Sequence, residues 1–78
     1  MKKITEILEE MHPEFDYTES ENFIEDGYID SFDLITLVAA IETEYAIKIK
    51  GIEIVPENFS SIEAIKALVV SHGVNDEI

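Results

Sequence analysis

Residues 30–47, with the sequence DSFDLITLVAAIETEYAI, decide the fold of this chain. Apolar residues recur along this segment at helical spacing, in two separate sets. The first set forms one stripe and consists of Leu34, Leu37, Val38, Ile41 and Tyr45. The second set lies on another side and consists of Phe32, Ile35 and Ala39. A helix that is apolar on two sides is either central in its fold or presents one side to a partner.

Polar residues mark the start of this helix. Asp30 and Ser31 are both good N-cap residues, and Asp33 adds negative charge to the first turn, where the helix dipole favours it. Judged by local physics alone, capping is the ordinary role for Ser31, because serines before an apolar helix are commonly caps.

Two segments precede this helix. Apolar spacing in residues 3–12 predicts a first helix, which ends at His12 because Pro13 disfavours helical geometry in the residue before it. Residues 13–29 form a long polar connection, which we expect to be an ordered loop. The side chains expected to attach it to the core are Phe15, Phe23, Ile24 and Ile29.

The segment that follows the helix, residues 46–55, is harder to assign. Isoleucines alternate with polar residues on both sides of Gly51, which taken alone predicts a small β-hairpin. An isolated two-stranded ribbon is marginally stable unless something covers it. Residues 56–59, PENF, predict a short turn or a single helical turn with Phe59 in the core.

A last helix is predicted near the end of the chain. Ser60 and Glu63 have the spacing of a capping box, and apolar residues at helical spacing follow them. The helix is expected to stop at His72–Gly73, and the tail, residues 74–78, to be frayed.

Composition limits the classes of function. The chain has 78 residues, enough for a single domain spanning residues 1–78. A net charge of −13 argues against nucleic acid and anionic membranes as partners and favours proteins with basic patches. The absence of cysteine excludes disulfides, thiolate zinc sites and a cysteine nucleophile. With neither a signal peptide nor a membrane-length apolar run, the chain is expected to be cytoplasmic.

The motifs give little support to calcium binding or to enzyme catalysis. A calcium-binding EF-hand loop over residues 22–33 would place Gly27 correctly, but it would put Ile24, which has no side-chain oxygen, at the third position. The two histidines lie at predicted helix ends, where cationic side chains are favoured for structural reasons. Because no catalytic motif occurs, we expect a protein that is not an enzyme and has no resident metal.

The helix segment resembles the second helix of acyl and peptidyl carrier proteins, where Asp-Ser-Leu precedes an amphipathic helix ending in Glu-Phe-x-Ile-x-Ile. Residues in register with that pattern are Asp30, Ser31, Phe32, Leu37, Val38, Glu42, Tyr45, Ile47 and Ile49. The segment PENFSSIEAI, residues 56–65, resembles the third helix of carriers and the start of their fourth. The resemblance implies an all-α, four-helix bundle of acyl-carrier type with a long first loop and a short third helix, and it treats residues 47–55 as loop.

The resemblance also implies a function. Ser31 would carry 4′-phosphopantetheine, delivered from coenzyme A by a phosphopantetheinyl transferase with Mg²⁺ present only during transfer. The arm would hold acyl or aminoacyl groups as thioesters, as in fatty acid or secondary-metabolite biosynthesis. Asp30 and Asp33 would oppose the new phosphodiester directly, so we assign them to magnesium or transferase recognition.

Partners would dock on the second helix. The resemblance implies exposed apolar residues, Phe32 and Ala39, flanked by Asp30, Asp33, Glu42 and Glu44. The partners would be a loading ligase and downstream acyl-processing enzymes that bring basic patches to a monomeric carrier.

The chain departs from the family at three positions of this helix. Thr36 and Thr43 replace acidic residues, and Phe32 replaces leucine, which suggests a dedicated stand-alone carrier, for example of D-alanyl type. The alternative from another class is a non-covalent acidic helical adaptor or an EF-hand-like divalent-ion binder.

Overall fold

The longest helix, α2, spans Ser31–Tyr45 and begins with a reciprocal cap. The carboxylate of Asp30, its N-cap, accepts the N–H of Asp33 at 2.8 Å, and the carboxylate of Asp33 accepts the N–H of Asp30 at 3.2 Å. The Asp33 amide is one of the first-turn amides that a helix leaves without a partner, and the second bond holds the capping residue itself. Of the two candidate caps in the sequence, the structure uses Asp30.

The part of the chain that the structure describes contains four α-helices. The structure, a computed structural model, describes residues 2–75 and residue 78. The other helices are α1, Ile4–Met11; α3, Pro56–Phe59; and α4, Ile62–Ser71. Helix α1 packs against both α2 and α4, and α3 packs against α4. Because the described residues contain no strand, the predicted all-α class is confirmed.

The core is mostly aliphatic, with two phenylalanines at its centre. Its largest fully buried side chains are Phe23, Phe59, Ile4, Leu8, Ile29, Leu37, Ile41, Ile65 and Val69. Each such side chain stabilises the fold by about 1.5–3 kcal/mol relative to leaving it exposed. Helix α2 supplies the predicted stripe, with Leu37 and Ile41 completely buried.

The loop over residues 13–29 is ordered by aromatic packing. The ring of Phe15 stacks on Tyr28 with centroids 4.4 Å apart, and Tyr17 meets Phe23 edge-on at 5.2 Å. The Phe23 N–H also donates to the Ser60 carbonyl at 2.6 Å, which joins the loop to the end of α3. As predicted, Phe23 and Ile29 are buried.

The predicted hairpin over residues 46–55 is wrong. A single 3₁₀ turn, Gly51–Glu53, lies there instead. The Glu53 carboxylate accepts the Lys50 N–H at 3.0 Å, and the Glu53 N–H donates to the Lys50 carbonyl at 2.9 Å. These local bonds use the groups that a strand ladder would need. The alternating isoleucines also do not share one buried face, since Ile49 is 5% exposed and Ile52 is 85% exposed.

The last helix begins one residue later than the capping-box spacing predicts. Ser61, not Ser60, is its N-cap, and the Ser61 hydroxyl accepts the Ala64 N–H at 3.1 Å. Ser60 is instead the C-cap of α3, with helical backbone angles, and its hydroxyl donates to the Glu57 carbonyl. The helix ends at Ser71, as expected.

The chain end meets the start of α1. The carbonyl of Ile78 accepts the Ile4 N–H at 2.9 Å, and Val74 and Ile78 pack against the core. Residues 76 and 77, which belong to the tail expected to be frayed, lie outside the described residues.

Candidate functional site

Ser31 is the first residue of α2, and its side chain is exposed. Within the described part of the chain, no residue forms a hydrogen bond with its hydroxyl. The backbone amides of Ser31 and Phe32 are likewise not bonded to any described residue, because the first amides of a helix have no intrahelical acceptor and the Asp30 side chain caps only the Asp33 amide. A free hydroxyl therefore lies beside two free amides at the positive end of a helix, which is a favourable place for a phosphate group.

The two aspartates around Ser31 are committed to the helix start. Asp30 caps α2 by accepting the Asp33 N–H, and Asp33 Oδ2 accepts the Asp30 N–H in return. The Asp33 carboxylate also lies 3.0 Å from Nε2 of His12, the residue that caps the end of α1. Sequence reasoning placed His12 at a helix end but missed this contact, because no local spacing links the two residues.

The contact shifts the pKa of both groups in opposite directions. The hydrogen bond with Asp33 raises the pKa of His12 above its ordinary value of 6.5, and the charges of Asp33, Glu14 and Asp30 raise it further, against partial burial. Burial raises the pKa of Asp33, but hydrogen bonds from His12 and Asp30 outweigh that effect and leave the pKa below 3.8. Each group thus favours the charged form of the other.

One side of α2 is apolar and uncovered. Phe32 is 80% exposed and Ile35 is 67% exposed, and Ala39 is exposed one turn further along. The predicted second apolar side of the helix is therefore a surface that this chain leaves in water. Large exposed apolar side chains grouped on one face are typical of interaction sites.

A shallow open groove of about 540 Å³ borders this apolar side, between α1 and α2. Its lining includes Ile7, Met11, Thr36, Ala39, Ala40 and Thr43. The small side chains of α2 leave this space open.

The two glutamates assigned to docking are half-buried and hydrogen-bonded. Glu42 accepts the Ile49 N–H at 2.8 Å, and Glu44 accepts the Lys2 N–H at 2.9 Å. Each therefore has a structural role on α2 in addition to any role in docking.

The oxygens of the calcium-loop candidate are used within the protein. Asn22 Oδ1 accepts the amides of Ile24 and Glu25, and Asp26 accepts the Ser20 hydroxyl. In the described part of the chain, no group of three or more His, Asp or Glu side chains is arranged to hold a metal ion. Nor do the described residues form a helix with the length and apolar character needed to cross a bilayer.

The chain is similar in sequence to a known carrier protein. The chain is 31% identical over 71 residues to Aminoacyl carrier protein 1 of Bradyrhizobium diazoefficiens, a match that covers 91% of this chain and 78% of that protein. No protein-family profile matches the chain, and no solved structure matches it. An identity at this level over most of both chains shows common descent, and the chain belongs to the family of stand-alone carrier proteins.

Proposed function

We propose that this carrier holds its cargo on a 4′-phosphopantetheine arm attached to Ser31. The observation that supports the proposal is the exposed, unbonded Ser31 hydroxyl beside two free amides at the start of α2. In the loading reaction, the Ser31 oxygen bonds to the β-phosphate of coenzyme A. The bond from that phosphate to the adenosine bisphosphate breaks, and a base of the transferase accepts the hydroxyl proton. Mg²⁺ takes part only during this transfer.

The cargo that we favour is an aminoacyl group. The relative is named an aminoacyl carrier, and this chain departs from ordinary acyl carriers at Phe32, Thr36 and Thr43. The group would be carried as a thioester on the arm. Because the chain has no cysteine, no thiol of its own could attack that thioester.

The aspartates beside Ser31 would serve recognition by the transferase. Each carboxylate already accepts an amide of the helix start, and Asp33 also binds His12. Binding of Mg²⁺ during transfer stays the alternative role for these carboxylates. For recognition, we propose that Asp30 and Asp33 form a fixed pair of negative charges that a basic patch on the transferase reads.

The transferase, the loading ligase and later enzymes would dock on the uncovered side of α2. Phe32 and Ala39 would supply the apolar centre of the contact, together with Ile35. Glu42 and Glu44 would lie at its rim, where their charge steers basic partners. In this proposal the helices form the four-helix bundle of the carrier family, and the carrier acts as a cytoplasmic monomer without catalytic activity.

The decisive experiment is intact-mass measurement after incubation with coenzyme A, Mg²⁺ and a broad-specificity phosphopantetheinyl transferase. The wild type should gain one phosphopantetheine, and Ser31→Ala, folded to the same extent by circular dichroism, should gain none. If the folded wild type gains nothing with that enzyme or with lysate of the source organism, the arm is ruled out. A calcium-induced change in thermal stability would then favour the divalent-ion alternative.

A further inference from the structure

His12 is a basic side chain in contact with the first turn of α2, where the proposed loading site lies. Between Lys3 and Lys48 the sequence contains no lysine or arginine, and His12 is the one histidine in that interval. Its Nε2 lies 3.0 Å from Asp33 Oδ1, so a side chain from the end of α1 reaches the first turn of α2.

The bond from His12 completes the cap of α2. One oxygen of Asp33 contacts His12, and the other accepts the Asp30 N–H at 3.2 Å. Asp30 in turn accepts the Asp33 N–H at 2.8 Å. Ser31 lies in the chain between these two aspartates. Holding the Asp33 carboxylate therefore fixes the turn that presents the Ser31 hydroxyl.

His12 is itself fixed from several directions. Its N–H donates to the Leu8 carbonyl at 3.1 Å, and its carbonyl accepts the Tyr17 hydroxyl at 3.3 Å. The imidazole meets the ring of Phe15 edge-on, with centroids 5.9 Å apart, and its Nδ1 lies 3.7 Å from Glu14. A residue whose backbone and ring are both held in this way is a rigid support for the carboxylate that it binds.

We propose that His12 is the positioning residue for loading at Ser31: its Nε2–H holds the Asp33 carboxylate and so keeps the Asp30–Asp33 cap closed around the reacting serine. The inference rests on the proposed function. The proposal also gives the loop over residues 13–29 a role in positioning Ser31, because the aromatic residues of that loop hold His12. A serine displaced from the productive geometry slows transfer without changing how the partner docks.

Two substitutions at His12 separate this role from a general effect on the fold. His12→Ala removes the donor, whereas in His12→Gln the amide nitrogen takes the place of Nε2 and can still donate to Asp33. We expect His12→Ala to lower kcat for loading about tenfold with KM within about twofold, as misplacement of a reacting group predicts. His12→Gln should restore most of the rate. The matched control is His72→Ala, which removes the other histidine and its 2.9 Å contact with Glu53 and should load at the wild-type rate.

Amide hydrogen exchange gives a readout that does not depend on loading. The Asp33 amide, which donates to Asp30, should exchange faster in His12→Ala and at the wild-type rate in His12→Gln. Equal loading by wild type and His12→Ala, or a folded His12→Gln as slow as His12→Ala, would overturn the role of His12 and leave the carrier arm intact. A folded wild type that never loads would instead remove the proposed function, and this inference with it.

Discussion

The backbone N–H of Ile49 donates to Glu42 Oε2 at 2.8 Å, joining the loop after α2 to the last turn of that helix. Ile49 is 5% exposed, so its amide has little access to water. A glutamate that the family resemblance assigns to docking is thus also the partner of a backbone group near the core.

Removing that partner should destabilise the protein. Glu42→Ala should lower the free energy of unfolding by about 1–3 kcal/mol, because a poorly solvated amide loses its acceptor. Glu42→Gln keeps an acceptor oxygen and should cost less. Urea unfolding measures both. Equal stability of Glu42→Ala and wild type would show that water replaces the carboxylate.

Substitutions at the neighbouring residues Asp30 and Ser31 should differ in their effect on stability, because Asp30 caps α2 and Ser31 is the proposed loading site. Asp30→Ala removes the cap of α2 and should cost about 1 kcal/mol, the usual value for an N-cap. Ser31→Ala removes a side chain that bonds to no described residue and should change stability by less than about 0.5 kcal/mol. Thermal or urea unfolding tests both, and a larger loss in Ser31→Ala than in Asp30→Ala would show that Ser31 is a structural residue.

The uncovered side of α2 can be tested without disturbing the fold. Phe32→Ala should leave stability within about 0.5 kcal/mol of wild type, because the ring is 80% exposed. It should weaken binding of the partner enzyme by about 1–2 kcal/mol, as expected for an aromatic residue at the centre of an interface. Isothermal titration with the transferase measures the change.

Val70 offers a matched control for that experiment. It is a 53% exposed apolar residue on α4, outside the proposed docking surface. Val70→Ala should leave both stability and partner binding unchanged. If Phe32→Ala binds the transferase as tightly as Val70→Ala does, α2 does not dock that partner through its apolar side.

The His12–Asp33 contact should make stability depend on pH. The raised pKa of His12 stabilises the fold fully below its ordinary value of 6.5, and the effect disappears as pH rises through the raised value. The lowered pKa of Asp33 stabilises the fold above 3.8, and the effect disappears as pH falls through the lowered value. The ion pair therefore contributes most between about pH 4 and 6.5.

His12→Gln isolates the ionic part of this contribution, because it keeps a donor and removes the charge. Wild type should melt roughly 2–4 °C above this variant near pH 5.5, as expected for a partly exposed pair in a domain of this size. By pH 8.5 the two melting temperatures should coincide. A gap that stays constant across this range would mean that the His12 charge does not contribute.

The sequence correctly predicted features that depend on residues close together in the chain. The spacing of Leu37 and Ile41 predicts the buried side of α2, and Asp30 and Ser31 before an apolar run predict its start to within one residue, because both signals come from a few neighbouring residues. The same spacing predicted that Phe32 lies on a second side of this helix. Its role in docking stays a prediction.

The features that the sequence did not predict depend on distant partners. Isoleucine alternation suggested strands in residues 46–55, but the carboxylates of Glu42 and Glu53 bind the amides of that segment and a 3₁₀ turn forms instead. Ser60 has the spacing of a capping box, but Ser61 caps α4, because Ser60 keeps helical backbone angles as the C-cap of α3 and its hydroxyl donates to the Glu57 carbonyl. The contact of His12 with Asp33 has no sequence pattern at all.

The aromatic packing of the first loop gives the protein an optical reporter. There is no tryptophan, and two of the three tyrosines, Tyr17 and Tyr28, lie in the loop over residues 13–29 with their rings held against other rings. The near-ultraviolet circular dichroism of the protein should therefore be dominated by the order of this loop, since such signals require fixed aromatic surroundings. This signal needs no label. It would report whether attachment of the arm, binding of cargo or docking of an enzyme changes the order of the loop that holds His12.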